Sequence, residues 1–135
     1  MKEENIHNYF TELAEELNGI YLDYTGDSGA MNLKLENGRN QSVKSFIKNK
    51  GDGDMIIFMS KVCNLDEYPS VDFKKMLELN HSLIYSKVVI DDGYMEVESD
   101  AKLDLSSKEE IRFIVKEVAK VADDLEMEIT GKDVY

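Results

Sequence analysis

The stretch VVIDDGYMEVES, residues 88–99, decides how this chain folds. Ahead of it, Ile84, Ser86, Val88 and Ile90 recur at every second position; after Asp92-Gly93, Met95 and Val97 alternate with Tyr94, Glu96 and Glu98. A period of two belongs to a β-strand, whose successive side chains point to opposite faces. Asp-Gly is a dipeptide that tight hairpin turns select, because both residues tolerate positive φ. The stretch therefore predicts an antiparallel hairpin. Asp91 and Asp92 are its turn chemistry, and Glu96 and Glu98 lie on its solvated face.

The same pattern runs through the first half. IYLDY (20–24) and MNLKLE (31–36) alternate around GDSG, and Asn37-Gly38 predicts a type I′ turn into SVKSFIK (42–48). In that strand Val43, Ser45 and Ile47 share one face, and Lys44, Phe46 and Lys48 the other. MIIFMSKV (55–62) is apolar on both faces and reads as a central strand, covered by helices on one side and partly covered on the other.

Three segments carry the helical period. Ile6, Tyr9, Phe10, Leu13 and Leu17 draw one stripe, with Asn18-Gly19 as the stop. After Pro69, with Ser70 as the expected cap, Phe73, Met76, Leu77 and Asn80 mark a second helix, whose other face holds Val71 and Leu79. The third opens on Ser107 and Glu110, an S-x-x-E capping box, and runs through Ile111, Ile114, Val115, Val118, Ala122 and Leu125, widened by Phe113 and Val121. The tail TGKDVY is expected to be loose. The order α-β-β-β-β-α-β-β-α, with strands joined by short turns, predicts an α+β fold: a single domain over 1–135, its antiparallel sheet packed by helices.

Composition narrows function. The chain has 135 residues and a formal net charge of −12, which disfavours phosphate backbones and anionic lipid surfaces as partners. No run is long and apolar enough for a membrane span, no secretory h-region opens the chain, and the lone Cys63 fits a reducing, cytoplasmic setting. No Gly-rich loop leads from a strand into a helix, so no phosphate cradle is visible. His7 and His81 match no metal spacing, and Cys63 reads as an inert buried thiol. These features predict no cofactor and no catalytic constellation.

Two patterns are candidates for function. Asp52, Asp54, Asp91 and Asp92 could hold a cation, as in a metal-dependent protein or enzyme, if their two turns converged; the turn preferences of Asp and Gly explain them without a metal. Arg39, Lys44, Lys48 and Lys50 form a basic strip around Phe46, faintly like a single-strand-binding platform; lysines guarding a solvated or edge strand explain it more simply. The apolar surplus points elsewhere. Phe46, the two-faced strand 55–62, the second helix and the broad third helix offer more apolar surface than one helix–sheet layer needs; a subunit contact or a partner accounts for it as well as simple core packing does.

MLELNHSLIYSKVVIDDGYMEVESDAKLDLSSKEEIRFIVKEVAKVADDLE, from Met76 on, resembles the YbjN-like family of the type III secretion chaperone-like fold: L-x-L-N closes a helix, Asp-Gly turns a hairpin, and S-x-E-E opens an apolar helix ending in ADDLE. LENGRNQSV in the first half agrees as well. The resemblance implies a small acidic α+β protein that dimerises, chaperone-like or regulatory, with no residue-level site to carry over. Together with the surplus, it predicts a non-enzymatic module that binds a protein or peptide partner, acting as a homodimer. The expected contacts are Phe46, Phe58, Val71, Phe73 and Leu79.

Overall fold

In the computed structural model, which describes residues 3–49, 51 and 53–135, the elements follow the predicted order. They are α1 (Glu3–Glu16), β1 (Gly19–Thr25), β2 (Ser28–Lys34), β3 (Asn40–Asn49), β4 (Asp54–Asn64), α2 (Phe73–Ser82), β5 (Lys87–Asp91), β6 (Tyr94–Lys102), a 3-10 turn (Leu103–Leu105) and α3 (Lys108–Thr130). The six strands form one antiparallel sheet in the order β1-β2-β3-β4-β6-β5. β4 lies inside the sheet, as its two apolar faces predict, and β1 and β5 are the edges.

The helices α1 and α3 cover one face. Ile6, Phe10 and Leu13 of α1 and Ile111, Ile114, Val115 and Val118 of α3 close over Met31, Val43, Ile56, Phe58, Met95 and Val97. Phe10 meets the edge of Phe58 at 5.8 Å between ring centroids. We call this the inner face. Among the described residues no helix covers the opposite, outer face of the sheet.

The turns and caps refine the expectations. Asp92 and Gly93 both take positive φ, the type I′ geometry that suits strand twist. At Asn37-Gly38 only Gly38 does. Gly38 N–H donates to Leu35 O and Leu35 N–H to Arg39 O, which makes a three-residue loop closed by a glycine bulge rather than a type I′ turn. Asn37 is drawn off by its own side chain, whose Oδ1 accepts from Arg39 N–H. At the end of α1 the left-handed residue is Asn18, not Gly19. Asp72 rather than Ser70 caps α2, accepting from Lys75 N–H. Ser107 caps α3 by accepting from Glu110 N–H, while the Glu110 carboxylate lies 3.4 Å from the Tyr85 hydroxyl.

Edge strand β5 is closed by a side chain. Asn80 Oδ1 accepts from Val88 N–H at 2.6 Å, and Asn80 Nδ2 donates to Val88 O at 3.2 Å. The amide thus imitates one residue of a neighbouring strand, and the edge is not left as a template for pairing. Edge strand β1 has no such guard among the described residues.

Candidate functional site

Strand β1 presents the most exposed apolar row of the sheet. Ile20, Leu22 and Tyr24 are 65%, 43% and 60% exposed and point to the outer face. Their partner row, led by Tyr21, points inward. Tyr21 packs on Phe10 and receives or donates a 2.7 Å hydrogen bond with His7 Nδ1, while His7 Nε2 donates to Gly26 O at 2.8 Å. Its ring crosses β2 at Gly29, where a Cβ would stand 2.5 Å from the tyrosine oxygen. Burial, with the Asp23 charge behind it, pushes the Tyr21 phenol up to about 12. His7 and Tyr21 therefore pin the β1–β2 hairpin to α1 and turn the other row of β1 to solvent.

The register carries that row across the sheet. Leu22 faces Ala30, Ala30 faces Lys44, and Lys44 faces Met59; Ser28, Phe46 and Ile57 form the next row. Phe46, Met55, Ile57 and Met59 are half-buried on a face that no helix covers, and Tyr135 at the end of the chain lines that face beside Lys44, Met59 and Lys61. A second apolar area stands beside α2: Phe73, Leu77, Ile84, Tyr85 and Phe113 are all exposed, and Tyr85 meets Phe113 edge-on at 5.5 Å.

The predicted contacts divide between core and surface. Phe58 is wholly enclosed on the inner face of β4, packed on Phe10, so it has no surface to offer a partner. Val71 and Leu79 are half-buried and pack against the core. Phe46 and Phe73 reach solvent, Phe46 on the outer sheet face and Phe73 on α2. The buried side of α2 is Met76 with Leu79, so Phe73 and Leu77, grouped with Met76 by spacing, stand on its open side. The contacts expected from the sequence do not include Ile20, Leu22 and Tyr24; an apolar period-two row is their signal, but it does not reveal which way it points.

The acidic turns do not converge. Met55 lies opposite Lys102 and Asn64 opposite Tyr94, so Asp54 stands at one end of the β4–β6 pair and Asp91 and Asp92 at the other. Some nine residues of strand separate them, about 30 Å at ~3.3 Å per residue. Asp52 lies outside the described residues, as does Lys50 of the basic strip.

Arg39 leaves that strip for a buried cluster that joins LENGRN to ADDLE. Its Nε donates to Asp123 Oδ1 at 2.8 Å, and Nη2 lies 3.6 Å from Glu126 Oε1 and 3.9 Å from Asp133 Oδ1. Asn37 Nδ2 donates to Asp123 Oδ2 at 3.0 Å. Asp123, Glu126 and Asp133 approach as closely as metal ligands would. The guanidinium already supplies the positive charge among them. Burial pushes Glu126 up against the backbone N–H groups of Val134 and Tyr135, which its Oε2 accepts. These bonds correct the expected loose tail: residues 132–135 are tied down by Arg39, Asn40 and Glu126.

Two further carboxylates part company. Glu117 of α3 accepts from the backbone N–H groups of Ile84, Tyr85 and Ser86 at 3.1, 2.9 and 2.8 Å, and from the Ser86 hydroxyl. Burial raises its carboxyl, but these four donors together outweigh it and leave the group below its usual range. Glu96, expected on the solvated face, is instead 3% exposed. It lies between Lys61 and Val89 in the register, beside Tyr94, over whose ring the Lys61 ammonium sits at 4.0 Å. Burial foremost, then Asp91, pushes its carboxyl up against Lys61. Cys63 is buried as expected, and burial raises its thiol.

No protein-family model and no curated protein sequence matches the chain. Solved structures do. The ExsC of the ExsC–ExsE complex superimposes with a TM-score of 0.63 over 94% of this chain and 95% of its own, at 11% identity. The chain has the fold of the type III secretion chaperones. The heterodimeric ExoU–SpcU complex from the type III secretion system of Pseudomonas aeruginosa matches at 0.61, covering 94% and 99% at 12% identity. YbjN from E. coli matches at 0.50, covering 95% and 92% at 13% identity. The resemblance of residues 76–126 to the YbjN-like branch thus extends to the whole architecture. Among the described residues no helix is long and apolar enough to cross a membrane.

Proposed function

We propose that this chain is a non-enzymatic polypeptide-binding protein, chaperone-like or regulatory, that holds an extended partner segment against the outer face and free edge of its sheet. The observation that carries this reading is the row Ile20, Leu22 and Tyr24, exposed on an unguarded edge strand and continuous with Phe46, Ile57 and Met59. An edge strand offers main-chain N–H and C=O groups to an added strand, and alternate side-chain pockets give selectivity. Solved complexes of this fold with protein partners, such as ExsC–ExsE and ExoU–SpcU, support it.

The second apolar area, around Phe73 and Leu77 on α2, supports a homodimer. It stands on the helix side of the molecule, so two copies could join there and leave both outer sheet faces open. Leu77→Glu is expected to shift the sedimentation of a dimer to that of a monomer without loss of helical circular dichroism.

Leu22→Asp tests the binding surface. On this reading it weakens capture of a short extended peptide about tenfold or more, as expected for a charge placed in an apolar contact, while the unfolding midpoint barely moves because Leu22 is exposed. Unchanged peptide affinity, measured by fluorescence anisotropy, would sink the reading.

A further inference from the structure

We infer that the segment held on the outer sheet face is acidic, with carboxylates alternating with apolar side chains along the chain. This rests on the polypeptide-binding reading of that face. The observation behind it is a segregation of charge. By the strand register, the outward positions of β1, β2, β3 and β4 include Lys44, Lys48 and Lys61 and no carboxylate. The outward acids of the sheet, Asp91 on β5 and Glu96, Glu98 and Asp100 on β6, all lie on the two strands at its far side. In a chain with 28 acidic and 16 basic residues, scattered placement would have put acids among the lysines.

Lys44 and Lys48 make no ion pair within 4 Å among the described residues, although the chain is rich in carboxylates; Lys44 acts on the Glu96 carboxylate only from farther away. They flank Phe46 on one face of β3, so Lys44, Phe46 and Lys48 repeat every second residue, about 6.6–7 Å apart. An extended segment laid over β3 has the same repeat. Side chains that face the sheet in the order carboxylate, apolar, carboxylate would meet ammonium, ring and ammonium in register. Met59 and Ile57 of β4 flank Lys44 and Phe46 and widen the apolar seat.

A nucleic acid is the competing occupant, since lysines around an aromatic ring also suit stacked bases. Phe46 argues against it: its ring is half-buried among its neighbours instead of standing free as a stacking platform. The net charge of −12 argues likewise, because a strand of phosphates meets that field along its whole length. A peptide with a few carboxylates is steered by the nearest lysines, within a screening length of about 8 Å.

The test uses two labelled strand-forming peptides, identical except that every second residue is glutamate in one and lysine in the other, with oligothymidine as a third probe. Anisotropy at about 50 mM salt should show the glutamate peptide binding roughly tenfold more tightly than the lysine peptide. The gap should narrow at about 300 mM salt as screening grows. The double reversal Lys44→Glu with Lys48→Glu, both at surface positions and checked for fold by circular dichroism, should invert the preference. If both peptides bind equally well, or the lysine peptide binds better, the charge assignment is overturned and the polypeptide-binding reading stands. Oligothymidine binding more tightly than the glutamate peptide also overturns it. If no probe binds at millimolar concentration, both readings fall.

Discussion

Glu117 and Glu96 show how one residue type takes opposite roles within this chain. Glu117 has a folded pKa below its unfolded value. Its contribution is present above the unfolded value, near 4.3, and is lost as pH falls through the folded one. Glu117→Gln is therefore expected to cost about 2 kcal/mol at pH 7 in urea unfolding, toward the lower end for charged hydrogen bonds because the carboxylate is partly open to water. That cost should shrink in acid. Glu96 runs the other way, because its folded pKa is raised. The stability tied to its protonated form is complete below the unfolded value and is lost as pH rises through the folded one. Glu96→Gln should thus raise the melting temperature at pH 7 and leave it nearly unchanged near pH 3. Neither role was legible in the sequence. Glu96 alternates with apolar neighbours as a solvated residue would, and only the packing of Tyr94, Lys61 and Val89 around it encloses it.

At the scale of elements, local chemistry was legible wherever one strong signal acted alone. Asp92-Gly93 takes the turn its residues favour, and Ser107 caps α3. Where two signals competed, the structure chose. Asn37 could have entered a type I′ turn, but its amide is spent on Arg39 N–H and Asp123, and the loop gained a residue. On α2 the spacing of Phe73, Met76, Leu77 and Asn80 describes one side of a helix without saying how much of it the sheet can cover. Asn80 decides how α2 sits, because its amide must reach Val88. Asn80→Ala is expected to cost about 2 kcal/mol, from two lost hydrogen bonds, and to speed amide exchange at Val88. Asn80→Asp can still accept from Val88 N–H, so it should restore much of the protection there. Equal exchange in the two variants would contradict the strand-mimic role of the amide.

At the scale of the whole molecule, two tests separate what holds the fold from what is offered to a partner. Phe58 lies in the core between α1 and the sheet, so Phe58→Ala should lower stability by about 3–5 kcal/mol through a large cavity; peptide affinity measured on the folded fraction should stay the same. Arg39 ties the β2–β3 loop, the end of α3 and residues 132–135 together. Arg39→Met leaves Asp123 and Glu126 enclosed without their counter-charge, so the urea midpoint should fall at pH 7 and fall less near pH 4, where carboxyls take up protons.

The sequence by itself determined the periods, the breaks and therefore the order of elements, because side-chain alternation, capping serine and positive-φ glycine act over a few residues. It also showed an apolar surplus on Phe46, strand 55–62 and the second and third helices, open to core packing and to a partner alike. Only the tertiary structure decided where that surplus lies. β1 sets the apolar row Ile20, Leu22 and Tyr24 against Tyr21 and Asp23, and alternation alone would have turned the apolar row inward. The choice follows from Tyr21, which crosses Gly29 to reach His7 and leaves Ile20, Leu22 and Tyr24 in water. Arg39 likewise reads as one more cation of a basic strip until the chain brings Asp123 and Glu126, more than eighty residues away, against it. Long-range charge pairing and the facing of an edge strand depend on which elements meet in space, and local sequence does not encode that directly.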